Sequence, residues 1–150
     1  MSIENDIKQK SFKNVYQKVA VNLMYTDSWL LNNYSKILKP YNLSEKQYFV
    51  LKILSANYPN AVSINFIIER MLDKMSNVSR LIDKLLEKGL VIKVKSSSDR
   101  RSKDILLTNE GLNLIKEVEC QMNHREQKIA TLSEEELSIL NDLLNKVRKS

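Results

Sequence analysis

A chain of 150 residues is long enough to bury a hydrophobic core as one domain and too short for two independent enzymatic lobes. With 2 glycines and 2 prolines it lacks the material of a Rossmann or P-loop phosphate cradle, and long uninterrupted helices are expected. One cysteine, Cys120, and one histidine, His124, exclude an intrachain disulfide framework and leave too few soft ligands for zinc, so neither metal nor cofactor is expected.

No apolar run approaches the roughly 18 residues of a membrane span. The N-terminus is acidic and polar where a secretory signal would be basic and then apolar, so a cytoplasmic location is expected. The formal charge is +6, and it is concentrated: from Arg70 to Asp104 there are ten Lys/Arg against five Asp/Glu. Such a local excess of cations is the electrostatic footprint of a polyanion partner.

In chain order, apolar residues at helical spacing from Ile7 to Leu38, including Phe12, Val15, Val19, Leu23, Leu30, Tyr34 and Ile37, predict one long amphipathic helix ending before Pro40. Ser44 and Gln47 then form a capping box, with Leu43 and Tyr48 as its hydrophobic staple, and open a second helix. Asn57-Tyr-Pro-Asn-Ala ends that helix, and Ser63 caps a third over Ile64 to Met71. Asp73 is expected to cap a fourth, carrying Val78, Leu81, Ile82, Leu85 and Leu86 up to a left-handed stop at Gly89. Two short helices in tandem with a tight connection read as a helix-turn-helix.

Past Gly89 the apolar period changes to two. Ile92-Lys-Val-Lys95 and Asp104 to Leu107 read as strands around the polar loop Ser96 to Ser102, which makes a β-hairpin wing. Thr108, with Glu110 in the first turn, opens a helix through Leu112, Ile115, Val118 and Met122 to about Ile129. A last helix starts with the capping box of Ser133 and Glu136 and carries Leu140, Leu143, Leu144 and Val147. The fold class is therefore mainly α with a small β-hairpin wing. Residues 44–107 form a winged helix-turn-helix lobe, and 7–38 and 108–149 form flanking helices of the same single domain.

On a helical wheel, Val78, Leu81, Ile82, Leu85 and Leu86 fall on one side of the fourth helix and Ser76, Asn77, Arg80, Asp83 and Lys84 on the other. The polar side carries a forked cation, an amide, a hydroxyl and a second cation. These groups suit guanine acceptors, the donor-acceptor edge of adenine, and phosphate in a major groove. Asp99-Arg100-Arg101 at the hairpin tip presents two guanidiniums suited to a narrow minor groove, with the acid placed to pin one of them.

The ordered run of Leu43 to Leu51, Val78 to Val91, Asp99 to Ser102 and Leu107 to Gly111 resembles the MarR family of bacterial transcription regulators over nearly the whole chain. The resemblance implies a homodimer with intertwined terminal helices, whose two winged lobes read palindromic double-stranded DNA. It implies a repressor rather than an enzyme. By position it places Ser76, Asn77, Ser79 and Arg80 where the family's recognition helix meets DNA. It places Asp99 and Arg101 on the wing acid and minor-groove arginine, with Arg100 at the variable middle position. With Ser63 and Lys84 these are the candidate DNA-contacting residues. A small phenolic or other aromatic effector is also implied, with Tyr25, Trp29 and Tyr48 as candidate lining. The alternative is a winged-helix adaptor that binds protein and not DNA. Cys120 and His124 share a helical face, but Cys120 reads as a small buried hydrophobe rather than a nucleophile. The flanking helices carry apolar stripes that a domain of this size cannot cover, so pairing with a second chain is the physical remedy.

Overall fold

The computed structural model describes residues 2–96, 102–126 and 131–149, apart from the side chains of 124–126. The long N-terminal helix is shorter than the sequence predicts. A single turn, α1 (Ile3–Asp6), precedes α2 (Val15–Leu38), and residues from Ile7 to Asn14 are not helical. The reason is local: the Asn14 side chain accepts the Gln17 N–H at 2.9 Å, and the Gln17 side chain accepts the Lys13 N–H at 2.8 Å. Side-chain caps here outcompete continuation of the helix. After a 3-10 turn at Lys39–Tyr41, α3 (Glu45–Asn57) opens on the predicted capping box. The Ser44 hydroxyl accepts the Gln47 N–H, and Gln47 Oε1 accepts the Ser44 N–H.

Helix α4 (Ile64–Arg70) is capped by Ser63, and α5 (Val78–Glu87) follows. The cap of α5 is Asn77, not Asp73. Asp73 instead turns the connection by accepting the Met75 N–H at 2.9 Å. Gly89, at φ +68°, ends α5 as predicted: its N–H bonds the Leu86 carbonyl and the Leu90 N–H bonds the Leu85 carbonyl. These two bonds are the Schellman pattern, which needs a left-handed residue at this point.

The hairpin pairs β1 (Val91–Lys95) with β2 (Lys103–Leu107) in antiparallel register, Val91 opposite Leu107 and Lys95 opposite Lys103. Val62 adds one bridge to Ile105 through both backbone bonds, a contact absent from the sequence reading. Helices α6 (Asn109–Glu126) and α7 (Glu134–Val147) complete the chain, the latter on its predicted capping box.

Helix α3 is the hub, touching α2, α4, α5, α6 and β2. The core closes around it with Tyr48, Leu51 and Leu54 of α3, Ile67 of α4, Val78, Ile82 and Leu85 of α5, Ile105 and Leu107 of β2, and Ile115, Val118 and Met122 of α6. This is a winged helix-turn-helix flanked by terminal helices. Those flanking helices leave apolar side chains open in the single chain: Tyr16 is 82% exposed, Met24 73%, Ile139 60% and Leu143 55%. Cys120 is also exposed rather than buried as the sequence reading had it, because Ile115, Val118 and Met122 take the inward face of α6.

The two glycines hold different places. A Cβ on Gly111 would lie 2.1 Å from the Leu90 carbonyl oxygen, so α6 sits against the start of β1 only because that position has no side chain. A Cβ on Gly89 meets nothing within 4 Å, and only its backbone angle disfavours substitution. Chemical denaturation should therefore show Gly111→Ala destabilising by more than about 2 kcal/mol through a forced backbone shift. Gly89→Ala should cost about 1 kcal/mol.

Candidate nucleic-acid interface

Burial of Val78, Ile82 and Leu85 fixes the rotation of α5 and leaves Ser79, Arg80, Asp83 and Lys84 facing solvent. Asn77, Arg80 and Lys84 border one shallow hollow with Leu81 and Lys46. The structure thus gathers three of the sequence-predicted residues on one surface. Asn77 has two tasks: its Oδ1 accepts the Arg80 N–H at 3.1 Å as the helix cap, while its amide N–H2 stays available as a donor. Ser63 is likewise a cap, accepting the Phe66 N–H at 3.1 Å. The Ser76 hydroxyl is not presented outward: its oxygen is buried. Asp99, Arg100 and Arg101 lie outside the described residues.

Polar ties hold both ends of α5. At the C-terminal end the Lys88 ammonium donates to the Asn42 carbonyl and to Gln47 Oε1, anchoring the helix to the turn before α3. Desolvation there lowers the Lys88 pKa, with repulsion from Lys84 adding to it. At the other end Lys46 of α3 pairs with Asp73 at 2.7 Å. That hydrogen bond, with the Met75 N–H, holds the Asp73 carboxyl below the usual carboxylate range. Midway along α5, Asp83 accepts from Lys93 of β1 at 3.2 Å, so the solvent face of the helix adjoins the hairpin.

The hairpin adds cations that the sequence reading did not single out. Directly opposed residues share a sheet face, so Lys93 and Lys95 lie on the face that buries Val91, Ile105 and Leu107 at its base. Ile92 and Val94 take the other face, and Ile92 remains exposed. At the far end of the hairpin Lys95 stands opposite Lys103. Like charges in that position destabilise a hairpin, and a polyanion beside them removes the penalty. The signal for Lys93 and Lys95 was present in their alternation with apolar residues. Nothing local marks Lys46, whose role depends on a partner 27 positions away.

The expected effector lining does not converge. Tyr48 is sealed in the core beside Tyr34 and Phe49, whereas Tyr25 and Trp29 are exposed. A cleft does lie between α2 and the winged lobe, but α2 contributes Asp27, Leu30, Leu31 and Tyr34 to it. At roughly 100° per residue, Tyr25 and Trp29 sit on the opposite side of the helix from those four.

A winged lobe with a cationic, amide-bearing helix face beside a basic hairpin defines a DNA-binding transcription regulator. The profile of the MarR family matches from 43 to 103. The chain is 31% identical over 116 residues to the HTH-type transcriptional regulator PecS of Dickeya dadantii, covering 76% of this chain and 70% of that protein. A crystal structure of a MarR-like transcription regulator from Bacillus cereus superposes with a TM-score of 0.77 at 27% identity, over 89% of this chain and 96% of that one. The S. aureus MepR–DNA complex is similar in fold, with a TM-score of 0.80 at 21% identity over 91% and 98% of the two chains. The chain belongs to the MarR family. The relatives favour DNA binding over the adaptor alternative.

The two tasks of Asn77 can be separated. Asn77→Asp retains a strong cap, so thermal stability should change by less than about 0.5 kcal/mol. Replacing the amide donor by a carboxylate oxygen, which cannot donate and is repelled by phosphate, should still weaken binding to a cognate duplex about tenfold or more in an anisotropy titration. Lys103→Glu should move the two readouts apart, stabilising the hairpin by about 0.2–1 kcal/mol through a pair with Lys95 while weakening duplex binding.

Proposed function

We propose that this regulator is a cytoplasmic repressor that binds a palindromic operator as a homodimer and acts by occluding the promoter. The observation that carries this reading is the surface on which Asn77, Arg80 and Lys84 of α5 lie together, with Lys93 of the hairpin tied to the same helix. Each α5 enters a major groove, and each wing, through Arg100 and Arg101 with Asp99 in support, follows the neighbouring minor groove. Ser79 lies on the exposed face beside Arg80. Ser63, at the start of α4, is placed for a backbone phosphate, and Ser76 would need its hydroxyl released to take part. The unpartnered apolar residues of α2 and α7 support the dimer, since monomeric surfaces rarely leave such stripes open. Twofold symmetry sets the half-sites about 10 base pairs apart. No catalytic role is proposed.

A small aromatic effector at the junction of α2 with the winged lobe would release DNA by favouring a separation of the two α5 helices that no longer fits successive grooves.

Selection from a random duplex pool with the full chain tests the function. It should return a palindrome, bound with an affinity that falls at least about tenfold between low and physiological salt. Arg80→Ala and Arg101→Ala should each weaken binding. Leu140→Glu combined with Leu143→Glu should convert a sedimenting dimer to monomer and abolish operator binding. Salt-insensitive binding without sequence preference, unaffected by Arg101→Ala, would contradict the reading.

A further inference from the structure

Met75 is 90% exposed, the highest value for any large apolar side chain among the described residues. Tyr16 and Met24 of α2, also exposed, have a second chain to cover them in the proposed dimer. Met75 lies instead in the connection between α4 and α5, two positions before the Asn77 cap. The backbone there is pinned. The Met75 N–H donates to Asp73 Oδ1 at 2.9 Å, the Ser76 N–H to the Asp73 carbonyl at 3.2 Å, and the Val78 N–H to the Ser76 carbonyl at 3.0 Å. Asp73 Oδ2 accepts in turn from Lys46 at 2.7 Å, and the Lys74 ammonium donates back to the Glu69 carbonyl at 2.6 Å. An apolar side chain held in water on a fixed backbone forgoes the stabilisation that burial would give. Departures of this kind collect at functional surfaces.

The neighbouring groups define what would cover it. Lys46, Asn77 and Arg80 border the hollow at the start of α5, and the first residues of a recognition helix are the ones that meet base edges. Ser76 buries its hydroxyl, so between Lys74 and Asn77 the side chain turned outward is Met75. Amide and guanidinium groups read the hydrogen-bonding edges of adenine and guanine, and ammonium groups suit phosphate. None of them recognises the C5 methyl, which thymine alone presents in the major groove. A thioether arm is apolar, unbranched and adaptable, so it can settle against such a methyl. We propose that Met75 is a specificity-determining residue, packing on the C5 methyl of a thymine in each half-site beside the base read by Asn77. This proposal rests on the regulator reading above and adds to it the identity of one base pair.

The test uses the full chain and the duplex selected from the random pool, with each thymine replaced in turn by deoxyuridine, which keeps the pairing and lacks the methyl. Anisotropy titrations at one fixed salt concentration should show at least one position per half-site where wild-type affinity falls about fourfold, the worth of one buried methyl. Changing both half-sites together should cost about 16-fold. Met75→Ala should bind the unmodified duplex about fourfold or more weakly per half-site and should no longer distinguish thymine from uracil at that position. Met75→Leu, similar in volume, should keep most of the distinction. Because Met75 is exposed, both variants should unfold at the wild-type temperature, which separates a lost contact from a lost fold. A duplex with no uridine-sensitive position, or a Met75→Ala variant of unchanged affinity, overturns the assignment. So does a uniform loss that leaves the uridine profile as in wild type, which would mark a sequence-independent contact with sugar or a wedge between base steps. Failure of the wild-type chain to select any duplex would refute the regulator reading together with this one, whereas selective binding that ignores Met75 refutes this one alone.

Discussion

Burial of Val78, Ile82 and Leu85 against α3 is the contact on which the rest of the structure depends. Three apolar side chains at helical spacing fix the rotation of α5 about its axis, and rotation decides which residues face outward. The ends of the helix are held by interactions of a different kind: the Asn77 cap and the Lys46–Asp73 pair at its start, the Schellman turn at Gly89 and the Lys88 anchor at its finish. Apolar packing thus sets the angle of presentation, and polar contacts set the axial position. A helix that must fit a groove needs both.

Economy of side chains follows from this arrangement. Asn77 gives its oxygen to the helix and keeps its amide; Asp83 faces outward yet steadies Lys93; Lys46 lies between the junction cleft and the α5 surface. The cost is local strain in the charge pattern, plainest where Lys95 opposes Lys103. Departures from good local design concentrate at functional surfaces, and here the departure coincides with the hairpin expected to meet phosphate.

Much of the fold was legible because its signals are local. The capping boxes at Ser44 and Ser133, the stop at Gly89 and the switch of period after it each depend on residues a few positions apart, and each is present in the structure. The errors arise where local signals compete or where the partner is distant. Asp73 and Asn77 are both good caps; Asp73 is taken up by the Met75 N–H and by Lys46, far away in sequence, and Asn77 caps the helix. Asn14 interrupts an apolar period that would otherwise run from Ile7. Tyr25 and Trp29 were grouped with Tyr48 by type, whereas the phase of α2 turns them from the cleft. The bridge from Val62 to Ile105 is a single nonlocal residue pair with no pattern to betray it. On the recognition surface the residue types were readable, but the burial of the Ser76 hydroxyl was not.

Hydrogen exchange of the full chain with and without its selected duplex measures the shared surface most directly. The account predicts added protection in two stretches together, the backbone from Ser76 to Lys84 and the hairpin from Lys93 to Ile105, with none on the outer face of α3 and α4 around Lys52 and Arg70. Protection confined to that outer face, with α5 unchanged on saturation by DNA, would contradict it.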